Sequence, residues 1–261
     1  MKIAIYQMEV IGGKPAENRL KVQSWLEKVM KEENPDTIVL PEMWTSSFKL
    51  KQLKALAEPD GEPTKSFLSE LAKKYKVNII GGSIPHNVET NIYNASFIFN
   101  REGEVVYEYS KIHLVPMLHE HLYVTGGKKA VEVFELDGIK MGIIICYDLR
   151  FPELARSLAL QGVQALFVVA AWPTPRKYHW TALQIARAIE NQMYVISCNA
   201  VGNVDDVTYA GNSMIIDPWG DILKQGQDNQ EETLVQDVNL SKVVQVRKEV
   251  PIFKSRVPDL Y

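Results

Sequence analysis

The chain has 261 residues, 46% of them hydrophobic and 23% charged, with a formal net charge of −3 at pH 7. That composition is ordinary for a globular protein and gives no electrostatic footprint for nucleic acid, since the basic clusters Lys73-Lys74 and Lys128-Lys129 are pairs and not patches. The two cysteines, Cys146 and Cys198, argue against a disulfide scaffold, and no window approaches the roughly 18 consecutive apolar residues of a membrane span.

The first strand-like run, Ile3–Met8, alternates, and its apolar stretch is too short for a signal-peptide core. Together with the free thiols this predicts a cytoplasmic protein. Asn18–Glu33 places Leu20, Val22, Trp25, Leu26, Val29 and Met30 at helical spacing, which predicts an amphipathic helix. Runs rich in Val, Ile and aromatics predict strands at Thr37–Leu40 and Asn78–Gly82, with a helix over Pro63–Tyr75 between them. Asn94–Phe99 and Glu104–Tyr109 flank Asn100-Arg101-Glu102-Gly103 and predict a hairpin. Strands follow at Val131–Leu136, Lys140–Cys146, Ala165–Val169 and Tyr194–Cys198. They are interleaved with helices at Pro152–Gln161, which Gly162 ends, and at Tyr178–Glu190, with Trp180, Leu183, Ala186 and Ile189 on one side. A second hairpin turns at Asp217-Pro218-Trp219-Gly220, and Thr233–Val238 reads as a last strand. No repeat, low-complexity segment or linker interrupts the series, so one domain over residues 1–261 is the economical reading. The mixture of β-α alternation with hairpins predicts an α/β fold in which helices cover a mixed sheet or sheet pair.

The segment Gly142-Ile143-Ile144-Ile145-Cys146-Tyr147-Asp148-Leu149-Arg150-Phe151-Pro152-Glu153 carries the most chemistry. An apolar run reads as a buried strand, and Pro152 opens a helix, so Cys146 falls in the turn between them. Backbone N–H groups and the helix's positive end there favour a thiolate and a developing oxyanion. Free cysteine is also a common core residue, so this segment by itself is compatible with either role. Cys198 has no helix start after it and reads as structural. A nucleophilic thiol needs a base, and none of His86, His113, His119, His121 and His179 lies in a local signature. Glu42 follows Thr37-Ile38-Val39-Leu40-Pro41, so a carboxylate is aimed from the end of a hydrophobic strand, in what the sequence predicts is an apolar setting. Lys111 lies just past a hairpin strand and can serve as a fixed cation for an oxyanion. Alone, each also reads as a surface residue.

In chain order, Leu40-Pro41-Glu42-Met43, Lys111-Ile112-His113-Leu114 and Ile145-Cys146-Tyr147-Asp148-Leu149-Arg150-Phe151-Pro152-Glu153 resemble the three signature segments of the nitrilase, or carbon–nitrogen hydrolase, superfamily. Ala186-Arg187-Ala188-Ile189-Glu190-Asn191-Gln192, Gly211-Asn212-Ser213 and Asp217-Pro218-Trp219-Gly220 extend the likeness over essentially the whole chain. The resemblance implies a four-layer α-β-β-α sandwich, usually a homodimer. It also implies Glu42 as general base, Lys111 as oxyanion-stabilising cation, Cys146 as nucleophile and no metal or organic cofactor. A second acid is implied between the Lys and Cys segments, and Glu120 in Pro116-Met117-Leu118-His119-Glu120-His121 fits it better than Glu132 or Glu135. Within the superfamily the chain is most similar to the omega-amidase branch, which releases ammonia from 2-oxo acid omega-amides such as 2-oxoglutaramate. The C-terminal run Val250–Tyr261 adds to that likeness. The substrates expected are therefore a small amide and water. For the substrate pocket the candidates are Arg150, either as carboxylate ligand or as a brace for the nucleophile turn, with Trp172, Met43, Trp44 and Tyr147 as walls. The rival readings are an amidase for another acid amide of the deaminated-glutathione type, a carbamoyl-amine hydrolase, and a catalytically silent scaffold.

Overall fold

The computed structural model describes residues 1–260. The N-terminal half supplies strands β1 (Lys2–Gln7), β2 (Thr37–Val39), β3 (Glu58–Pro59), β4 (Asn78–Ile80), β5 (Ile84–Val88), β6 (Asn91–Phe99) and β7 (Val105–Ser110), with helices α1 (Pro15–Glu32), α2 (Leu53–Leu56) and α3 (Thr64–Tyr75) between them. The C-terminal half supplies β8 (Phe134–Leu136), β9 (Ile139–Ile145), β10 (Ala165–Ala170), β11 (Tyr194–Asn199), β12 (Val201–Val204), β13 (Val207–Ala210), β14 (Met214–Ile216), β15 (Ile222–Gln225) and β16 (Glu232–Asp237). Its helices are α4 (Pro152–Leu160), α5 (Lys177–Asn191) and α6 (Ser241–Glu249).

Two sheets result. One runs β16-β1-β2-β4-β6-β5-β3 with β7 beside β6, and the other runs β15-β14-β11-β10-β9-β8. The central pairs β1–β2, β2–β4, β9–β10 and β10–β11 are parallel, as is the short edge pair β3–β5, and the other pairs are antiparallel. Strand periodicity explains the layering, because alternate residues face opposite sides. Ile3 and Ile5 of β1 pack with Ile143, Phe167 and Ile196 in one cluster, whereas Ala4 and Tyr6 pack with Val22, Leu26 and Val29 of α1. On the second sheet Gly142 faces α4 so closely that a Cβ there would lie 2.8 Å from Leu158. The order is therefore helices, sheet, sheet, helices, the α/β four-layer sandwich expected. Each fully buried Leu or Ile contributes about 1.5–3 kcal/mol, so the inter-sheet layer is a large share of the fold's stability.

Two helical stripes differ from the sequence reading. Leu20, expected on the buried face of α1, is 65% exposed, while Asn18 is buried and donates to the Ile11 and Thr45 carbonyls. On α5 the inward face carries Trp180, Gln184, Arg187, Ala188 and Asn191, and Ile189 is half-exposed. The reason is that α5 packs against the polar Cys146–Arg150 turn as well as against the sheet. Arg187 Nη2 donates to the Leu149 carbonyl at 2.9 Å. No helix of the described residues is long and apolar enough to cross a membrane.

Candidate active site

Three chain segments converge between the sheets. Glu42 follows Pro41 past the end of β2, Lys111 follows the end of β7, and Cys146 follows the end of β9. Glu42 N donates to the Ala170 carbonyl of β10 at 3.4 Å, so the end of one sheet is tied to the end of the other. Cys146 opens a 3-10 turn, Cys146–Arg150, in a left-handed conformation with φ 48. For a residue with a Cβ that conformation costs about 1–2 kcal/mol, and the surrounding bonds hold it in place.

Asp148 and Arg187 supply that hold. Asp148 is fully buried; its Oδ2 accepts from Tyr109 Oη at 2.7 Å and Ile145 N at 3.2 Å, and its Oδ1 accepts from His113 N at 2.9 Å. His113 Nδ1 lies 2.8 Å from the same Oδ1, and its ring stacks on Phe151 with centroids 3.5 Å apart. His113 is thus committed to fixing the nucleophile turn. One alternative for Arg150 is a brace of this turn through buried carbonyls or an acid; the Leu149 carbonyl is held by Arg187, and the Arg150 guanidinium lies over Trp172 near His179.

The charged cluster lies beside the thiol. Lys111 Nζ donates to Glu42 Oε1 at 2.9 Å and to both Glu120 oxygens at 3.2 Å, and all three side chains have no solvent exposure. Glu42 accepts further hydrogen bonds from Asn94 Nδ2 and Ala171 N, each at 2.8 Å, and Glu120 accepts from Val115 N at 2.6 Å. The expected apolar setting of Glu42 is therefore replaced by a ring of donors. Burial pushes the Cys146 thiol well above its ordinary range, the Glu42 charge adds to this, and Lys111 opposes it. Burial lowers the Lys111 ammonium, but the carboxylates of Glu42 and Glu120 outweigh it and hold the group above its usual range. Burial also raises Glu120, against the pull of Lys111. Two carboxylates and one ammonium buried together are costly to desolvate, and replacing such a group by apolar side chains is often neutral or stabilising. What the arrangement offers instead is chemistry: a protonated thiol, a carboxylate within hydrogen-bonding reach of it, and a fixed cation.

Cys146 forms part of the floor of a cleft of about 620 Å³. Tyr147, Arg150 and Trp172, candidates for the substrate pocket, line it together with Phe48, Arg176 and Tyr209. Met43 and Trp44 do not. At Met43 the chain turns with φ 50, its side chain packs with Leu53 and Val124, and Trp44 Nε1 donates to the Gly81 carbonyl at 2.8 Å within the helix-side core. A cavity of about 580 Å³ along β7 contains none of the clustered residues. Asn94, Asp148 and Arg187 were not among the candidates read from sequence. Their one available signal was a polar side chain inside an otherwise apolar strand, turn or helix face. Among the described residues, no group of three or more His, Cys, Asp or Glu is arranged to hold a metal ion.

The carbon–nitrogen hydrolase family model matches residues 2–248. The 2-oxoglutaramate amidase of Bacillus subtilis is 42% identical over 260 residues, covering 99% of this chain and 98% of that protein. The mouse omega-amidase NIT2 is 32% identical over 271 residues, covering 100% and 96%. The crystal structure of Saccharomyces cerevisiae Nit3, described as a member of branch 10 of the nitrilase superfamily, superposes with a TM-score of 0.90 at 31% identity, covering 96% of this chain and 94% of that one. A protein with this fold, this cluster and these relatives belongs to the carbon–nitrogen hydrolase family of the nitrilase superfamily.

Proposed function

We propose that this protein is an omega-amidase, hydrolysing the distal amide of 2-oxo acid monoamides such as 2-oxoglutaramate to the acid and ammonia. The observation that carries the chemistry is the buried Glu42–Lys111–Glu120 cluster beside Cys146. Glu42 removes the thiol proton, and sulfur attacks the amide carbon. Lys111 and a backbone N–H near Tyr147 hold the oxyanion. Glu42 returns its proton to the leaving nitrogen, the C–N bond breaks, and a thioester and ammonia result. Water, deprotonated by Glu42 and oriented by Glu120, then adds to the thioester and releases the carboxylic acid and the free thiol. Because burial and the Glu42 charge both disfavour a resting thiolate, proton removal and attack are coupled in this scheme.

The substrate class is supported by the names of the relatives and by the cations in the cleft. Arg150 and Arg176 line it, and of its acids Asp205 and Asp206, the first is ion-paired to Lys49. That balance suits a carboxylate tail better than the ammonium tail of a carbamoyl-amine. The chain works in this reading as one catalytic domain over residues 1–261. Two free thiols support a cytoplasmic location. Exposed Tyr178, Ile189 and Trp219, on and beside α5, support self-association as a homodimer. The test is ammonia release from 2-oxoglutaramate and 2-oxosuccinamate by the native protein and by Cys146→Ala. Release by the native protein alone is expected, and no release from either substrate overturns the assignment.

A further inference from the structure

The wall of the cleft is built outward from the base. Ala171 N donates to Glu42 Oε2 at 2.8 Å, and the next residue, Trp172, donates its N–H to Asn199 Oδ1 at 2.6 Å. Trp172 Nε1 in turn donates to the Arg176 carbonyl at 2.8 Å. The backbone at Arg176 is therefore fixed to the indole, and the indole to the peptide that holds Glu42. On the same indole lies Arg150, its Cζ 4.6 Å from the ring centre, with His179 Nδ1 at 3.4 Å from its guanidinium nitrogens. The Arg150 guanidinium and the Arg176 backbone thus share one aromatic anchor, and both residues line the cleft that holds Cys146.

Among the described residues, neither Arg150 nor Arg176 is ion-paired to a carboxylate. Asp205, an acid of the cleft, is engaged by Lys49, and Asp206 is exposed on the same hairpin. A planar guanidinium matches a carboxylate bidentately, which an ammonium cannot do, and a second arginine lining the same cleft adds to its pull on an anion. We infer that Arg176, acting with Arg150 across the Trp172 ring, is the specificity-determining residue that holds the remote carboxylate of the substrate. This deepens the omega-amidase reading and rests on it. The amide would lie over Cys146 and the acid end against the two arginines, so charge at the far end of the substrate, and not chain length alone, sets which amides are taken.

The experiment compares 2-oxoglutaramate with pentanamide, an uncharged amide of the same carbon count, on the native enzyme, Arg176→Gln, Arg176→Lys and Lys177→Gln. Lys177 neighbours Arg176 but pairs with Asp228 outside the cleft and serves as the control. For Arg176→Gln we expect KM for 2-oxoglutaramate to rise roughly 10- to 100-fold with kcat little changed, and KM for pentanamide to stay within about twofold. Arg176→Lys should fall between, because it keeps the charge and loses the fork. A second readout needs no turnover: in a Cys146→Ala background, Arg176→Gln should weaken binding of the product 2-oxoglutarate, measured by calorimetry, by a similar factor. Equal changes for both amides, or unchanged KM and product affinity, would overturn the role of Arg176 while leaving the amidase intact. No hydrolysis of 2-oxoglutaramate by the native enzyme, with pentanamide still cleaved, would sink the substrate reading and this inference together.

Discussion

The two cysteines of this chain are both buried, both in the second sheet or at its edge, and chemically unlike. Cys198 lies within β11, and its thiol donates to the Tyr6 carbonyl at 3.1 Å. Burial alone pushes its pKa well up. Cys146 is also buried, though at 6% exposure against 0% for Cys198, and it lies one residue beyond β9 at φ 48, where Glu42, Lys111 and Glu120 act on its thiol. Burial raises both thiols, so burial does not mark the nucleophile. What marks it is the departure from the strand, which takes the thiol out of the sheet's packing and presents it to charged groups carried by two other segments.

The largest expected effect is on turnover. Cys146→Ala should lower ammonia release from 2-oxoglutaramate by about 10³-fold or more, since no other group forms the acyl bond. Lys111→Met should separate the chemistry from the fold. It leaves Glu42 and Glu120 buried without their cation, and we expect about 3–5 kcal/mol of lost stability in denaturant unfolding alongside loss of activity. A Lys111→Met protein of unchanged stability would show that the cluster is more hydrated than its exposure implies.

Glu120→Gln is a smaller perturbation, because it keeps the shape and the hydrogen bond from Val115 while removing one charge. Its kcat should fall about 10- to 100-fold, and accumulation of thioester in a single-turnover quench would assign Glu120 to the second half of the reaction. Iodoacetamide should then rank the thiols directly. In the native protein Cys146 should label at least about tenfold faster than Cys198. The rate at Cys146 should climb with pH from neutrality, because a raised thiol pKa leaves little thiolate at pH 7 and each unit of pH adds more. Faster labelling of Cys198 would break the contrast. The smallest effect belongs to Cys198→Ala, with activity within about twofold of native and a stability loss of about 1–2 kcal/mol, read as a modest drop in denaturation midpoint.

Much of this is legible in the sequence. The hydrophobic runs at Lys140–Cys146, Ala165–Val169 and Tyr194–Cys198 became β9, β10 and β11 with ends shifted by a residue at most. Their β-branched and aromatic content fits a strand buried on both faces, so local pattern and tertiary demand agree. The short strands were less visible. Ile84–Val88 contains Pro85 and His86, and Val201–Val204 contains Gly202 and Asn203, so neither carries a strand's local pattern; each is a strand only because a neighbour pairs with it. Helix α6 was missed for a related reason, since only Val243 and Val246 of its nine residues are buried. The inward face of α5 was misread because Gln184, Arg187 and Asn191 look like a solvent face until the nucleophile turn is packed against them.

The strand-to-helix turn that lifts Cys146 out of its sheet and the layered α/β architecture are written in the linear chain, and three motifs in order single out Glu42, Lys111 and Cys146 as the candidate trio. Those features are local, or repeated with the period of the element that carries them. That Lys111 bridges Glu42 and Glu120, and that Asp148 ties Tyr109 and His113 to the turn, emerges from the packed fold. That fold alone withdrew Met43 and Trp44 into the core while tying the Arg176 carbonyl and the Arg150 guanidinium to one indole. Each of these joins residues from different segments, and a contact between segments depends on how two sheets stack, which no single stretch of chain encodes.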